Sequence, residues 1–135
     1  HFTAQEQQGY ELYQTNCASC HVEPLFTRPG FENNGIDSTF ADPGRMRITT
    51  LPADIGKFKI PSLRNLKYTF PYMHDGRFQS LDEVVNHYST GIESSSVSPT
   101  DVSNMNFSTV QKEQLIAFLN TLNDENFVRN ELFQD

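Results

Sequence analysis

Residues 17–21 read Cys17-Ala18-Ser19-Cys20-His21, and this stretch decides how the rest of the chain is interpreted. Two thiols at this spacing can each add to a vinyl group on one edge of a haem, and the histidine that follows can reach the iron from the same face. Covalent attachment keeps a haem in place on a small protein that cannot bury it fully. The motif therefore predicts one covalently bound haem c, held by Cys17, Cys20 and His21.

Other uses of the paired cysteines fit the chain less well. A zinc site would need more cysteines or well-spaced histidines, whereas the chain has two cysteines and four histidines. A thioredoxin-like dithiol would need a βαβ pattern, which the sequence lacks. A chance match to a five-residue pattern is the remaining alternative. The helix predicted just before the motif and the long loop after it favour haem attachment.

Three firm helices are predicted, and each begins with a capping box, in which a hydroxyl side chain is followed three residues later by Glu or Gln. They cover residues 4–16, 80–89 and 109–122, with caps at Thr3, Ser80 and Ser108. The last helix should bury the apolar residues Val110, Leu115, Phe118, Leu119 and Leu122.

Glycine in the first helix costs helix stability, so Gly9 is expected to serve close packing instead. We expect Gly9 to let the first helix cross closely over the last, near Phe118. A shorter helix is predicted over residues 62–67, after Pro61.

The segments between the helices have loop compositions. Residues 22–62 are rich in Pro, Gly, Asn, Asp and Thr, and a loop this long in a compact domain usually wraps or binds something. Residues 90–107 are polar and Ser-rich, which indicates a surface loop. The expected fold is all-α: a cytochrome c-like haem domain over residues 1–124, with long loops around one haem, and a surface tail over 125–135.

Composition narrows the possible functions further. The formal net charge of the 135-residue chain is −7, which argues against nucleic acid as a partner because phosphate binding needs a basic face. No stretch approaches the roughly 18 apolar residues of a membrane span. The chain starts at His1 with no visible signal peptide, and we interpret it as a processed product or a fragment.

The second axial ligand of the iron is open from the residues alone. Electron carriers usually hold His plus Met, and the methionines are Met46, Met73 and Met105. Further candidates are His74, His87 and Tyr88. Two arginines, Arg64 and Arg77, can pair with the haem propionates, because a guanidinium binds a carboxylate through two hydrogen bonds.

Six segments carry a family resemblance that spans roughly residues 5 to 124. They are residues 9–13 (GYELY), 17–21 (CASCH), 58–65 (FKIPSLRN), 71–76 (PYMHDG), 81–85 (LDEVV) and 115–119 (LIAFL). In order and spacing the chain resembles the C-terminal haem domain of the bacterial di-haem cytochrome c peroxidase and MauG family. The pair formed by PSLRN and PYMHDG is specific to this family, whereas the haem motif alone is not.

The resemblance implies a function. Full members have an N-terminal haem domain that binds peroxide and a C-terminal one that receives electrons and passes them on. The chain has one haem motif, so we interpret it as the excised C-terminal half of a larger enzyme, whose partner is a second haem domain or a redox protein. The alternatives are a free-standing mono-haem periplasmic electron carrier, or a haem domain with an open iron site for catalysis or sensing. Whether the chain alone is an enzyme is left open.

The resemblance also bears on the metal ligands and the compartment. Peroxidase members have a Met ligand, and MauG-type members a Tyr ligand, at the position of Tyr88. Tyr88 and the nearby Met105 are therefore near equals as second ligand, and Met73 follows because the family often has Phe there. Calcium can bind between the two domains near Thr69 and Pro71, and half of that site would be missing, so calcium is not expected. A periplasmic location is expected.

Overall fold

The computed structural model describes residues 1–93 and 102–133. Five α-helices lie in this part of the chain: α1 (Ala4–Asn16), α2 (Met46–Thr49), α3 (Leu81–Asn86), α4 (Thr109–Asn120) and α5 (Glu125–Val128). Short 3₁₀ turns cover Pro52–Asp54, Leu66–Tyr68 and Glu131–Phe133, and a π-helical turn, His87–Gly91, continues α3. Helices and helical turns therefore make up most of the regular secondary structure.

The core lies where α1 crosses α4. Tyr13 of α1 is buried against Phe118 of α4, with their ring centroids 5.1 Å apart. A Cβ atom built on Gly9 would lie 2.7 Å from the Gln114 carbonyl carbon and 2.8 Å from Phe118 Cβ, closer than real Cβ atoms approach. Only glycine permits this separation of the two helices. The predicted crossing at Gly9 and Phe118 is confirmed.

The three predicted helix starts are confirmed as well. Thr3, Ser80 and Ser108 each accept a hydrogen bond from the backbone N–H three residues on, and the side-chain oxygen of the Glu or Gln there accepts one from the backbone N–H of the cap residue. These bonds satisfy N–H groups that have no partner inside the helix. The local sequence therefore fixes where the main helices begin.

The long loop differs from the all-α prediction in one respect. Within it, β1 (Phe31–Glu32) pairs antiparallel with β2 (Phe58–Lys59), Phe31 opposite Lys59. The pair holds the two arms of the loop together ahead of Pro61. The helix predicted over 62–67 is wrong, because Asn65 adopts a left-handed conformation with φ 62° and only the 3₁₀ turn Leu66–Tyr68 forms after it.

Two further expectations need correction. Val110 is exposed, while Leu115, Phe118 and Leu119 form the buried face of α4 and Leu122 is half-buried. Phe107, in the predicted surface loop, joins the core, and residues 94–101 of that loop lie outside the described residues. The tail beyond residue 124 contains α5 and a 3₁₀ turn.

In the described part of the chain no helix has both the length and the apolar character to cross a membrane.

Candidate functional site

The cysteine pair lies at the C-terminal end of α1, where the chain turns sharply. Cys17 is the C-cap of α1, and its carbonyl accepts hydrogen bonds from the backbone N–H groups of Cys20 (3.2 Å) and His21 (2.9 Å). Both thiols are free and both residues are half-buried. Burial raises the pKa of the Cys17 thiol to about 12, because a low-polarity setting disfavours the thiolate. The turn brings the two thiols and the imidazole together.

His21 is held by its Nδ1 atom, which lies 3.2 Å from the Phe26 carbonyl oxygen and 3.1 Å from that of Pro61. A ring nitrogen between two carbonyl oxygens must carry the proton, so Nε2 is left with its lone pair. Burial lowers the pKa of His21, which favours the same neutral form, although the two carbonyl bonds act in the opposite direction. Tyr13 adds to the support by donating a hydrogen bond to the His21 carbonyl.

Tyr88 and Met105, the two predicted candidates for second ligand, lie on adjacent stretches of backbone. The Met105 N–H donates to the Tyr88 carbonyl (3.1 Å), and the next residue, Asn106, does the same to Ser89 (2.8 Å). Tyr88 is half-buried, and burial raises the pKa of its phenol to about 12. A hydrogen bond with the Asn34 side chain acts to lower that pKa, and the thiols of Cys17 and Cys20 act to raise it.

The other ligand candidates differ in their surroundings. Met73 is half-buried, with φ 70°, and its sulfur accepts a hydrogen bond from Asn34 Nδ2 at 3.2 Å. His87 is buried, and its Nε2 lies 3.0 Å from the Asn34 carbonyl oxygen. His74 is exposed and stacks on Phe58 with ring centroids 3.8 Å apart. Met46, in α2, is half-buried and outside the core cluster.

The two arginines predicted to meet the propionates have different partners. Arg77 forms ion pairs with Asp37 at 2.9 Å and with Asp75 at 2.6 Å, and it also donates to the Ile36 carbonyl. Arg64 is exposed, and its pairing with a propionate stays a prediction. Neither arginine is held against the cysteine pair by a hydrogen bond among the described residues.

Two donors that sequence reasoning missed are suited to a bound carboxylate. Arg28 Nε and Asn33 Nδ2 are buried without a hydrogen-bond partner within residues 1–93 and 102–133. The Arg28 guanidinium also lies 3.9 Å from the Cys20 sulfur and 2.9 Å from Glu32. Buried donors normally have partners, so these two N–H groups are available to a bound acceptor. The only sequence signal at Arg28 is its place shortly after His21.

The arrangement as a whole fits a haem. It offers two free thiols, one imidazole nitrogen with an available lone pair, a phenol and a thioether on neighbouring backbone, and two unpaired buried donors. Among the described residues, no three His, Cys, Asp or Glu side chains are grouped so that they could hold a metal ion by themselves.

Comparisons with known proteins were made by sequence and by structure. No family model matches the chain. A cytochrome-c peroxidase, IdrP2, of Denitromonas iodatirespirans is 32% identical to it over 154 residues, a match that covers 91% of this chain and 41% of that protein. The methylamine utilization protein MauG of Methylorubrum extorquens is 34% identical over 126 residues, covering 90% of this chain and 35% of that protein.

The structural comparison agrees. The crystal structure of a MauG-like protein associated with microbial copper homeostasis superposes with a TM-score of 0.90 and 31% identity, covering 100% of this chain and 51% of that one. The chain spans about two fifths of the length of the curated relatives it matches. It is therefore a homologue of the bacterial di-haem cytochrome c peroxidases and MauG, as its motifs predict, and it matches one part of those proteins.

Proposed function

We propose that the chain carries one haem c, bonded to Cys17 and Cys20 and ligated by His21, and that it transfers single electrons. The observation that carries this proposal is the hold on His21, whose Nδ1 faces the carbonyl oxygens of Phe26 and Pro61. Metal-ligating histidines commonly donate their second N–H in this way, which fixes the ring and leaves Nε2 for the metal. When bound, the haem supplies an iron that changes oxidation state by one electron.

Tyr88 is the proposed second ligand, with Met105 as the alternative. The contribution of both cysteine thiols to the raised pKa of the Tyr88 phenol supports this choice, while Met105 packs against the helical core through a partly buried side chain. An iron filled on both sides suits electron transfer, because no position is left for substrate. For the propionates, the proposed partners are the unpaired donors of Arg28 and Asn33, together with exposed Arg64. Arg77 could serve only by leaving Asp37 and Asp75.

The proposed setting is the electron-transfer domain, residues 1–124, of a larger di-haem enzyme. The partial coverage of the relatives supports this setting, since a second haem domain would account for the rest of their length. That domain, or a separate redox protein, is the proposed partner. The compartment is the periplasm, because covalent haem is installed on the outer side of the bacterial inner membrane. Haem-loaded protein in the cytosolic fraction would contradict that assignment.

The test is expression of the chain with the haem-attachment machinery, followed by intact mass and solvent extraction. We expect the mass to exceed that of the polypeptide by one haem, and acid acetone to leave the colour on the protein. The variant Cys17→Ser/Cys20→Ser should lose its haem to the solvent. The variant His21→Ala should keep the covalent haem and lose the low-spin spectrum. Haem that washes out of the unaltered chain contradicts the proposal.

A further inference from the structure

An open groove is lined by residues of α2 and of the β1–β2 pair, and its volume is about 330 Å³. Its apolar lining comes from Phe31, Ile48 and Phe58, and Ile48 is 84% exposed to solvent. Its basic lining comes from four side chains, Arg45, Arg47, Lys57 and Lys59. We call this surface the basic groove. It combines apolar contact area with a cluster of positive charge.

The positive charge of the basic groove contrasts with the acidic chain around it. Residues 45–59 contain four of the ten Lys and Arg residues and a single acidic residue, Asp54, although the whole chain carries a net charge of −7. Asp54 is shared, because one of its carboxylate oxygens lies 3.2 Å from Arg45 Nε and the other 3.8 Å from Lys57 Nζ. The segment therefore keeps positive charge that its own acidic residue does not neutralise.

Two of the four cations are available to a partner. Arg47 reaches Asp42 at 3.5 Å, and these side chains are 67% and 49% exposed, so the ion pair is weak. Lys59 is exposed and forms no ion pair with any residue that the structure describes. Arg45, in contrast, is fixed with its guanidinium 4.0 Å from the centre of the Phe31 ring. Acidic side chains of a partner can therefore pair with Arg47 and Lys59 without breaking strong contacts.

The basic groove is joined to the proposed haem site by a short stretch of backbone. Lys59 comes two residues before Pro61, whose carbonyl oxygen lies 3.1 Å from His21 Nδ1. Between them Ile60 is buried, and its carbonyl accepts a hydrogen bond from the Thr27 hydroxyl at 2.8 Å. Two residues of extended chain span at most about 7 Å. The groove therefore lies close to the histidine that is the proposed iron ligand.

We propose that the basic groove is the docking surface for a separate one-electron carrier protein with an acidic face. The inference rests on the proposed function and names the class of partner for its electron exchange. Charge complementarity selects the acidic face, and the short path to His21 selects a redox protein over an anionic membrane. A small apolar area among charged side chains fits a transient contact, because permanent interfaces are larger and more hydrophobic.

The test follows reduction of the haem-loaded chain in stopped flow by plant-type ferredoxin, an acidic one-electron carrier of low potential. Arg47→Glu and Lys59→Glu should each lower the second-order rate constant about tenfold at low salt, because complementary charges steer association. The difference should vanish near 1 M salt, where the Debye length is about 3 Å. Ile48→Ser should raise the ferredoxin concentration at half-maximal rate about tenfold, because it removes an apolar contact.

Control measurements make the result specific. Arg129→Glu makes the same charge change at an exposed residue outside the groove, and its rate should stay close to that of the unaltered chain. Lumiflavin semiquinone, a small uncharged donor, should reduce every variant at the same rate, which shows that the haem itself is unchanged. Far-UV circular dichroism reports folding, and if Lys59→Glu does not fold, Arg47→Glu decides.

The proposal is overturned if the Arg47 and Lys59 variants react with ferredoxin as fast as the unaltered chain, or if Arg129→Glu slows the reaction equally. It is also overturned if Ile48→Ser has no effect, or if reduction by lumiflavin slows in parallel. Binding to phosphatidylglycerol vesicles that Arg47→Glu abolishes, with ferredoxin reduction unchanged, would identify a membrane-binding surface instead.

Failure of the proposed function has a different signature. A chain that holds no covalent haem contradicts both proposals. A chain with covalent haem that lumiflavin reduces, but whose reaction with ferredoxin ignores every substitution in the groove, contradicts the docking surface alone.

Discussion

Replacing Gly9 with alanine is expected to destabilise the protein, although alanine is the better helix former. The new methyl group would lie 2.7 Å from the Gln114 carbonyl carbon and 2.8 Å from Phe118 Cβ, and the first of these is backbone, which cannot rotate away. To restore ordinary contact, α1 and α4 must separate by about 1 Å, since protein interiors are close-packed. Overpacking of this kind costs about 3 kcal/mol.

The gain in helix propensity offsets only part of that cost. Alanine in place of glycine stabilises a helix interior by about 1 kcal/mol, so the free energy of unfolding should fall by about 2 kcal/mol. For a domain of this size the midpoint of thermal unfolding should fall by roughly 6–10 °C. Gly91→Ala is the matched control, because its Cβ would be 3.4 Å from the nearest atom, a His87 ring nitrogen. Thermal unfolding followed by circular dichroism measures both, and a Gly9→Ala variant as stable as the unaltered chain would refute the close crossing.

Three further predictions address the site and its surroundings. Tyr13→Phe removes the hydroxyl that donates to the His21 carbonyl and should lower the free energy of unfolding by about 1 kcal/mol, read from urea midpoints. The Arg77 hydrogen bond holds the pKa of Asp75 below its ordinary 3.8, so the pair's stabilisation is present near neutral pH and is lost as the pH falls below about 4. Asp75→Asn should remove this loss of stability at low pH. The loss is below about 1 kcal/mol, because both side chains of the ion pair are about one-third exposed. A variant with an unchanged pH dependence of stability would argue against the ion pair. The haem-loaded chain alone should turn over peroxide only at trace rates while a small donor reduces it rapidly in stopped flow, and a high, saturable turnover would show an open iron position.

Features set by local sequence could be predicted. Helix α1 has the predicted bounds, and α3 and α4 begin as predicted, because a capping box specifies a helix start within four residues. The cysteine pair and His21 are adjacent in the chain, so their proximity follows from the turn at the end of α1. The Gly9 crossing was also predictable, since a helix-interior glycine requires a packing reason.

Features that depend on the path of the long loop could not be predicted. The loop supplies the Pro61 carbonyl that holds His21 from 40 residues away, and no local pattern specifies that pairing. The unpaired donors of Arg28 and Asn33 likewise follow from how the loop folds back. Phe107 is buried while Val110 is exposed. Which side of α4 is covered depends on the path of the loop that leads into this helix.

The α1–α4 crossing has a consequence for the order in which the protein is assembled. While the chain emerges only as far as the long loop, α1 has no partner, and its aromatic residues Tyr10 and Tyr13 stay uncovered. Under the proposed function, the cysteines that directly follow α1 would then be open to the enzymes that attach haem. Arrival of residues 109–120 brings Phe118 onto Tyr13, and Cys17 then packs partly against this core. If haem is attached as proposed, the thiols are therefore most accessible before α4 docks.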